Sequence, residues 1–133
     1  MYVLKGVEPE NVWRFFEDIS RIPRGSGNEK EICDYFEDFA LKRGLWYKRD
    51  ESDNILIRKQ ASAGYEGSEG VILQGHMDMV CEKLAESSHD FLKDPIKLVR
   101  DGDFLRADGT TLGGDDGIAA AMALAVLDDD RLE

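Results

Sequence analysis

Residues 118–127, Ile-Ala-Ala-Ala-Met-Ala-Leu-Ala-Val-Leu, are apolar without interruption and rich in alanine. Alanine and leucine are strong helix formers, and a helix with no polar face belongs inside a protein. The segment therefore predicts a helix packed against a sheet. A partner for it stands earlier in the chain: Val71, Ile72 and Leu73 form a short apolar run between glycines, the pattern of a strand buried on both faces.

The remaining elements follow from periodicity and punctuation. Pro9 suits a first helical turn, and Val12, Phe15, Phe16 and Ile19 recur at helical spacing until Pro23 stops the pattern. Arg24, Gly25, Ser26 and Gly27 make a loop, and Asn28 with Glu31 predicts the N-cap pair of a second helix, whose apolar face is Ile32, Phe36, Phe39 and Ala40. Gly44 suits the position after that helix, where φ is often positive. Residues 46–49 and 54–58 read as a strand pair around a turn at 50–53, and residues 61–70 as a solvent loop. Residues 96–100 and 104–106 form a second hairpin around Asp101 and Gly102. Two helices, then strands, then a helix after a central strand define an α/β layered domain. Asp128, Asp129 and Asp130 fall at the negative end of the last helix, which is unfavourable unless they lie in solvent. The chain stops where an α/β protein would continue into its next strand, so the expectation is a fragment of something longer.

Composition narrows the partners. At 133 residues, with 42% hydrophobic and 34% charged residues, the chain has the size of one globular domain. Twenty-eight acidic against 17 basic residues give a formal charge of −11, a poor match to phosphate backbones or anionic lipid. The expectation is no nucleic-acid partner and no membrane partner. No basic start with a long apolar run marks a secretory leader, and nothing approaches the ~20 apolar residues of a membrane span. Two cysteines, Cys33 and Cys81, fit a reducing compartment, so the reading is cytoplasmic.

Two clusters could carry chemistry. His76 and Asp78 stand two apart at the carboxyl end of the run at 71–73, where open α/β sheets place ligand sites. In an extended segment both face one side, so the carboxylate could fix the imidazole tautomer for a metal. A polar strand end with a solvated histidine is the alternative. Gly113, Gly114, Asp115, Asp116 and Gly117 precede the apolar helix, and the adjacent carboxylates could meet a cation. Two acids capping a helix is the competing reading there, while a phosphate loop is disfavoured by two aspartates and no lysine. His89 reads as a surface loop histidine and Cys81 as a partly buried thiol. No nucleophile elbow and no Cys-x-x-Cys pair is present.

These clusters and their flanks resemble a known family. Residues 71–83, VILQGHMDMVCEK, and residues 108–118, DGTTLGGDDGI, are similar to the two N-terminal signatures of aminoacyl-histidine dipeptidases. These are also called peptidase D or Xaa-His dipeptidases, and belong to the di-zinc aminoacylase/carboxypeptidase-like metallopeptidases. Residues 22–29, IPRGSGNE, resemble their N-terminal segment, and the likeness spans nearly the whole chain. The resemblance implies a layered α/β/α zinc-peptidase catalytic domain with a mixed sheet and flanking helices. Residues 1–133 would be its N-terminal portion, with the lid domain and C-terminal part outside this sequence.

By that resemblance His76 would ligate one zinc and Asp115 would bridge two. Asp78, assigned to the catalytic apparatus, would orient His76, and a cis peptide would join Asp115 to Asp116. The implied activity is zinc-dependent hydrolysis of aminoacyl-histidine dipeptides, with a small peptide as substrate. Its glutamate base and remaining ligands lie outside this sequence, so the chain holds half a site and is expected to be inactive alone. The parent would be a homodimer, or the chain itself would self-associate. A noncatalytic binding or assembly module on the same α/β shell is the other functional class.

Overall fold

Residues 2–132 are described by the computed structural model. The first helix, α1, spans Glu10–Ser20, with Pro9 extended at its N-cap (φ −75°, ψ 116°). The second, α2, spans Lys30–Lys42 and ends through Arg43 into Gly44, whose φ of 64° is the left-handed value that ends many helices. β1 (Trp46–Arg49) and β2 (Ile55–Arg58) pair antiparallel with Trp46 opposite Arg58. β3 (Leu98–Asp101) and β4 (Phe104–Ala107) form a second antiparallel pair, with Gly102 at φ 61° in the turn. The last helix, α3, spans Gly114–Asp128, but Asp115 and Asp116 have non-helical dihedrals, so regular helix begins at the following residues. No helix among the described residues is long and apolar enough to cross a membrane.

The periodic residues meet where the spacing predicts. Val12, Phe15, Phe16 and Ile19 of α1 share one core with Ile32, Phe36 and Phe39 of α2 and with Ala121, Leu124 and Ala125 of α3. Phe15 and Phe39 meet edge to face with ring centroids 5.6 Å apart. Each large side chain buried there contributes about 2 kcal/mol through removal from water. α2 also rests on β1 and β2, giving helices and sheets the layered α/β arrangement. That class matches the expectation. The strands among the described residues, however, form two separate antiparallel pairs rather than one mixed sheet.

Other differences are local. The run Val71, Ile72 and Leu73 is not a buried strand: its residues are 85%, 84% and 57% exposed, and no described strand pairs with it. Apolar character and flanking glycines specify a strand only where neighbours exist to cover it. α3 accordingly rests its buried face on α1, although a Cβ added at Gly75 would lie 3.5 Å from that of Ala119, so the segment entering the site runs beside this helix. Asn28 does not cap α2. Glu29 occupies the N-cap without a side-chain cap bond, its carboxylate accepting instead from the Gly27 amide at 2.7 Å. The acids at the end of α3 and just beyond it are paired: Asp128 meets Arg14 and Arg43, Asp130 meets Lys59, and Asp129 meets Arg131. The expected domain limits at Met1 and Glu133 lie outside the described residues.

Candidate metal centre

The loop between α1 and α2 is the cradle of the site. Pro23 ends the first helix pattern, and the following residues dock beside residues 76–79 through a parallel bridge between Gly25 and Met79. The Met79 amide donates to Arg24 O at 2.9 Å, and the Ser26 amide donates to Met79 O at 3.3 Å. Met79 is buried at this junction, which leaves His76 and Asp78 at the rim.

The two sequence clusters converge there. His76 Nε2 lies 3.0 Å from Asp115 Oδ1, while its Nδ1 lies 3.0 Å from Asp78 Oδ1. The other Asp78 oxygen accepts from the Ser26 hydroxyl at 2.5 Å. A line of contacts thus runs from Ser26 through Asp78 and His76 to Asp115. Burial works against a charged imidazole, but the bonds to Asp115 and then Asp78 carry the His76 pKa above its ordinary value. The Ser26 hydroxyl, and after it His76, holds the Asp78 carboxyl below the usual carboxylate range. The Asp115 side chain is 95% exposed and that of His76 49%, so the pair faces solvent on the surface of the described residues.

The diaspartate loop meets the segment from its other side. The peptide joining Asp115 to Asp116 is cis. A Cβ at Gly75 would fall 2.7 Å from Asp116 Oδ2, so the missing side chain lets this carboxylate close on the backbone just ahead of His76. Beneath both loops lies Arg24, 1% exposed, whose Nη1 donates to Met77 O at 2.9 Å and whose Nη2 donates to Gly113 O at 2.7 Å. Arg24 and Ser26 were legible only as loop residues; an arginine between a proline and a glycine carries no spacing that reveals its partners.

Of the secondary candidates, His89 stays apart from this arrangement, whereas Cys81 lies against its cradle loop. His89 stacks edge-on against Phe91 with centroids 4.5 Å apart, half-buried and outside the His76 contacts. Cys81 is an exposed free thiol whose Sγ would stand 2.6 Å from a Cβ at Gly25. Among the described residues no cluster of three or more histidine, cysteine, aspartate and glutamate side chains is arranged to hold a metal ion. The donor pair itself suits zinc. Imidazole nitrogen and carboxylate oxygen bind that ion at about 2.0–2.1 Å, and two such donors at a tetrahedral angle stand roughly 3.3 Å apart. The observed 3.0 Å is close to that spacing.

Comparison with known proteins gives the geometry a setting. No family model matches the chain. The cytosol non-specific dipeptidase of Escherichia coli (strain K12) is 44% identical over 132 residues, which cover 99% of this chain and 27% of that protein. The crystal structure of aminoacylhistidine dipeptidase from Vibrio alginolyticus superposes with a TM-score of 0.94 at 39% identity, covering 98% of this chain and 26% of that one. Over nearly all of its residues, and about a quarter of theirs, the chain is homologous to these two dipeptidases.

Proposed function

We propose that this chain forms part of the catalytic domain of a zinc-dependent dipeptidase and supplies half of its metal centre, His76 and Asp115, with Asp78 orienting the histidine. The observation that carries the reading is the convergence of His76 Nε2 on Asp115 Oδ1, with the opposite ring nitrogen engaged by Asp78. Donation of Nδ1–H to a carboxylate leaves Nε2 as the lone-pair nitrogen and makes it more basic toward a cation. Ser26 holds the far oxygen of Asp78 and so limits its rotation away from the ring. Zinc bound at such a site supplies Lewis-acid polarisation of the scissile carbonyl and acidifies a water. The substrate class is small dipeptides. One relative is named for non-specific dipeptidase activity and the other for aminoacylhistidine, so Xaa-His dipeptides fall within the proposed range. A cytosolic setting accompanies this reading, as in the name of the Escherichia coli relative.

The test is a chimera in which this chain replaces the matching segment of the Escherichia coli dipeptidase. It should hydrolyse dipeptides, histidine-terminated ones included, and lose activity to chelation. His76→Ala and Asp115→Ala should each lower kcat by about a thousandfold or more, since each removes a metal-binding group. The chain alone, supplied with zinc, should show no chelator-sensitive turnover. Unimpaired turnover in a folded His76→Ala or Asp115→Ala chimera would sink the assignment.

A further inference from the structure

We infer that Arg24 is the positioning residue of this centre: its buried guanidinium ties the segment carrying His76 to the loop carrying Asp115 and sets their separation. The inference rests on the reading of His76 and Asp115 as a metal pair. Nη1 donates to Met77 O at 2.9 Å and to Asp78 O at 3.3 Å, while Nη2 donates to Gly113 O at 2.7 Å. One side chain therefore grips the backbone on both sides of the His76–Asp115 contact. Elsewhere the two segments are joined by main chain: Leu84 N donates to Gly109 O at 3.0 Å and Thr111 N to Glu82 O at 2.8 Å. Among the described residues no backbone hydrogen bond joins residues 76–79 to residues 113–117, so at the site Arg24 takes that place.

The surroundings are shaped for this cation. A Cβ at Gly117 would come 2.8 Å from Nη2, and one at Gly113 would collide with the same nitrogen and stand 2.8 Å from Met79 Sδ. Burying a guanidinium is costly, and an apolar side chain of similar volume would fill a plain core position at lower cost. No carboxylate among the described residues forms an ion pair with Arg24; Asp78 and Cys81 act on it at longer range, and its Nε is buried without a partner. Three carbonyls around a planar fork instead give a fixed spacing between two loops. A lysine could hold one loop at a time, because its ammonium is a single point on a flexible stem.

The experiment is a zinc titration of the 15N-labelled chain followed by NMR, whose two histidines give separately assignable ring signals. Wild type, Arg24→Met, Arg24→Lys and the core variant Phe39→Leu are compared at one pH, each with its melting temperature. Zinc should shift the His76 ring nitrogens and leave His89 in place. Arg24→Met should weaken the apparent zinc affinity about tenfold or more, the scale of losing a group that orients a ligand. Without metal, the same variant should broaden the amide signals of residues 76–79 and 113–117. Arg24→Lys should recover part of the affinity, and Phe39→Leu should lower the melting temperature while leaving affinity unchanged.

Wild-type affinity in a folded Arg24→Met chain would overturn the inference. So would an equal loss of affinity in Phe39→Leu at matched melting temperature. If Arg24→Met does not fold, Arg24→Lys decides, and unchanged affinity and site signals there overturn the role. If zinc leaves His76 of the wild type unmoved, the metal reading fails separately. The metal-free signals of residues 76–79 and 113–117 in Arg24→Lys then decide positioning alone, unchanged signals overturning it.

Discussion

Gly113 and Gly102 both adopt left-handed backbone, at φ 69° and 61°, yet their surroundings differ. Nothing lies within 4 Å of a Cβ at Gly102, whereas one at Gly113 meets Arg24 and Met79. Gly102→Ala should therefore cost about 1–2 kcal/mol, the penalty of an L-residue in that conformation. Gly113→Ala should cost roughly 1–3 kcal/mol more, because the guanidinium or the Met79 thioether must shift in a packed setting. Urea unfolding of both variants checks the difference; equal losses would mean that Arg24 does not fill the space beneath Gly113. Legibility at this scale followed local spacing. His76 and Asp78 were singled out because they stand two apart, and Asp115 because it lies in a glycine-rich diaspartate loop, while their expected roles came from the family resemblance. Arg24 was invisible because its partners are carbonyls 53 and 89 residues away, and a carbonyl leaves no trace in residue type.

Between elements, ion pairs at the end of α3 reverse the expectation of solvent exposure for Asp128 and Asp129, whereas Asp130 does lie in solvent, 94% exposed. Asp128 accepts from Arg14 Nη2 of α1 at 3.0 Å and from Arg43 Nε, just beyond α2, at 2.6 Å, so one carboxylate links three helices. Arg43, chiefly through its hydrogen bond, holds the Asp128 carboxyl below the usual carboxylate range. A depressed folded pKa contributes stability above the unfolded value and loses it as pH falls through the folded one. Asp128→Asn should therefore reduce stability by about 1 kcal/mol at neutral pH, as partly exposed pairs do. The gap to wild type should narrow below about pH 4 and close once Asp128 is protonated. A gap independent of pH would show that the ion cluster adds nothing. The helices themselves were legible because an apolar stripe at period 3.6 is local information. The arginines that neutralise the end of α3 lie 114 and 85 residues from Asp128, which is why dipole reasoning on the last helix alone left Asp128 in solvent. For Val71, Ile72 and Leu73 the sequence states what the segment would tolerate, burial on both faces, while exposure depends on which strands lie beside it.

At the scale of the whole molecule, that exposed run sets apolar attraction against charge. Val71, Ile72 and Leu73 are 85%, 84% and 57% exposed, with Val80 at 68% a short way along the chain. Among the described residues no backbone hydrogen bond involves positions 71–73, so apolar side chains and free main-chain groups are presented together, the combination that invites pairing with a second copy. A formal charge of −11 opposes that approach through mutual repulsion. Salt decides between the two effects: the screening length falls from about 30 Å at 0.01 M to about 3 Å at 1 M, while apolar contact is not screened. The weight-average mass from sedimentation should therefore rise with protein concentration, and more steeply at high than at low ionic strength. Ile72→Lys, which places a charge in the middle of the run, should return the chain to monomer under the same conditions. A wild-type mass that stays monomeric across concentration and salt, or an Ile72→Lys variant that associates as strongly, would remove this segment as the source of self-association.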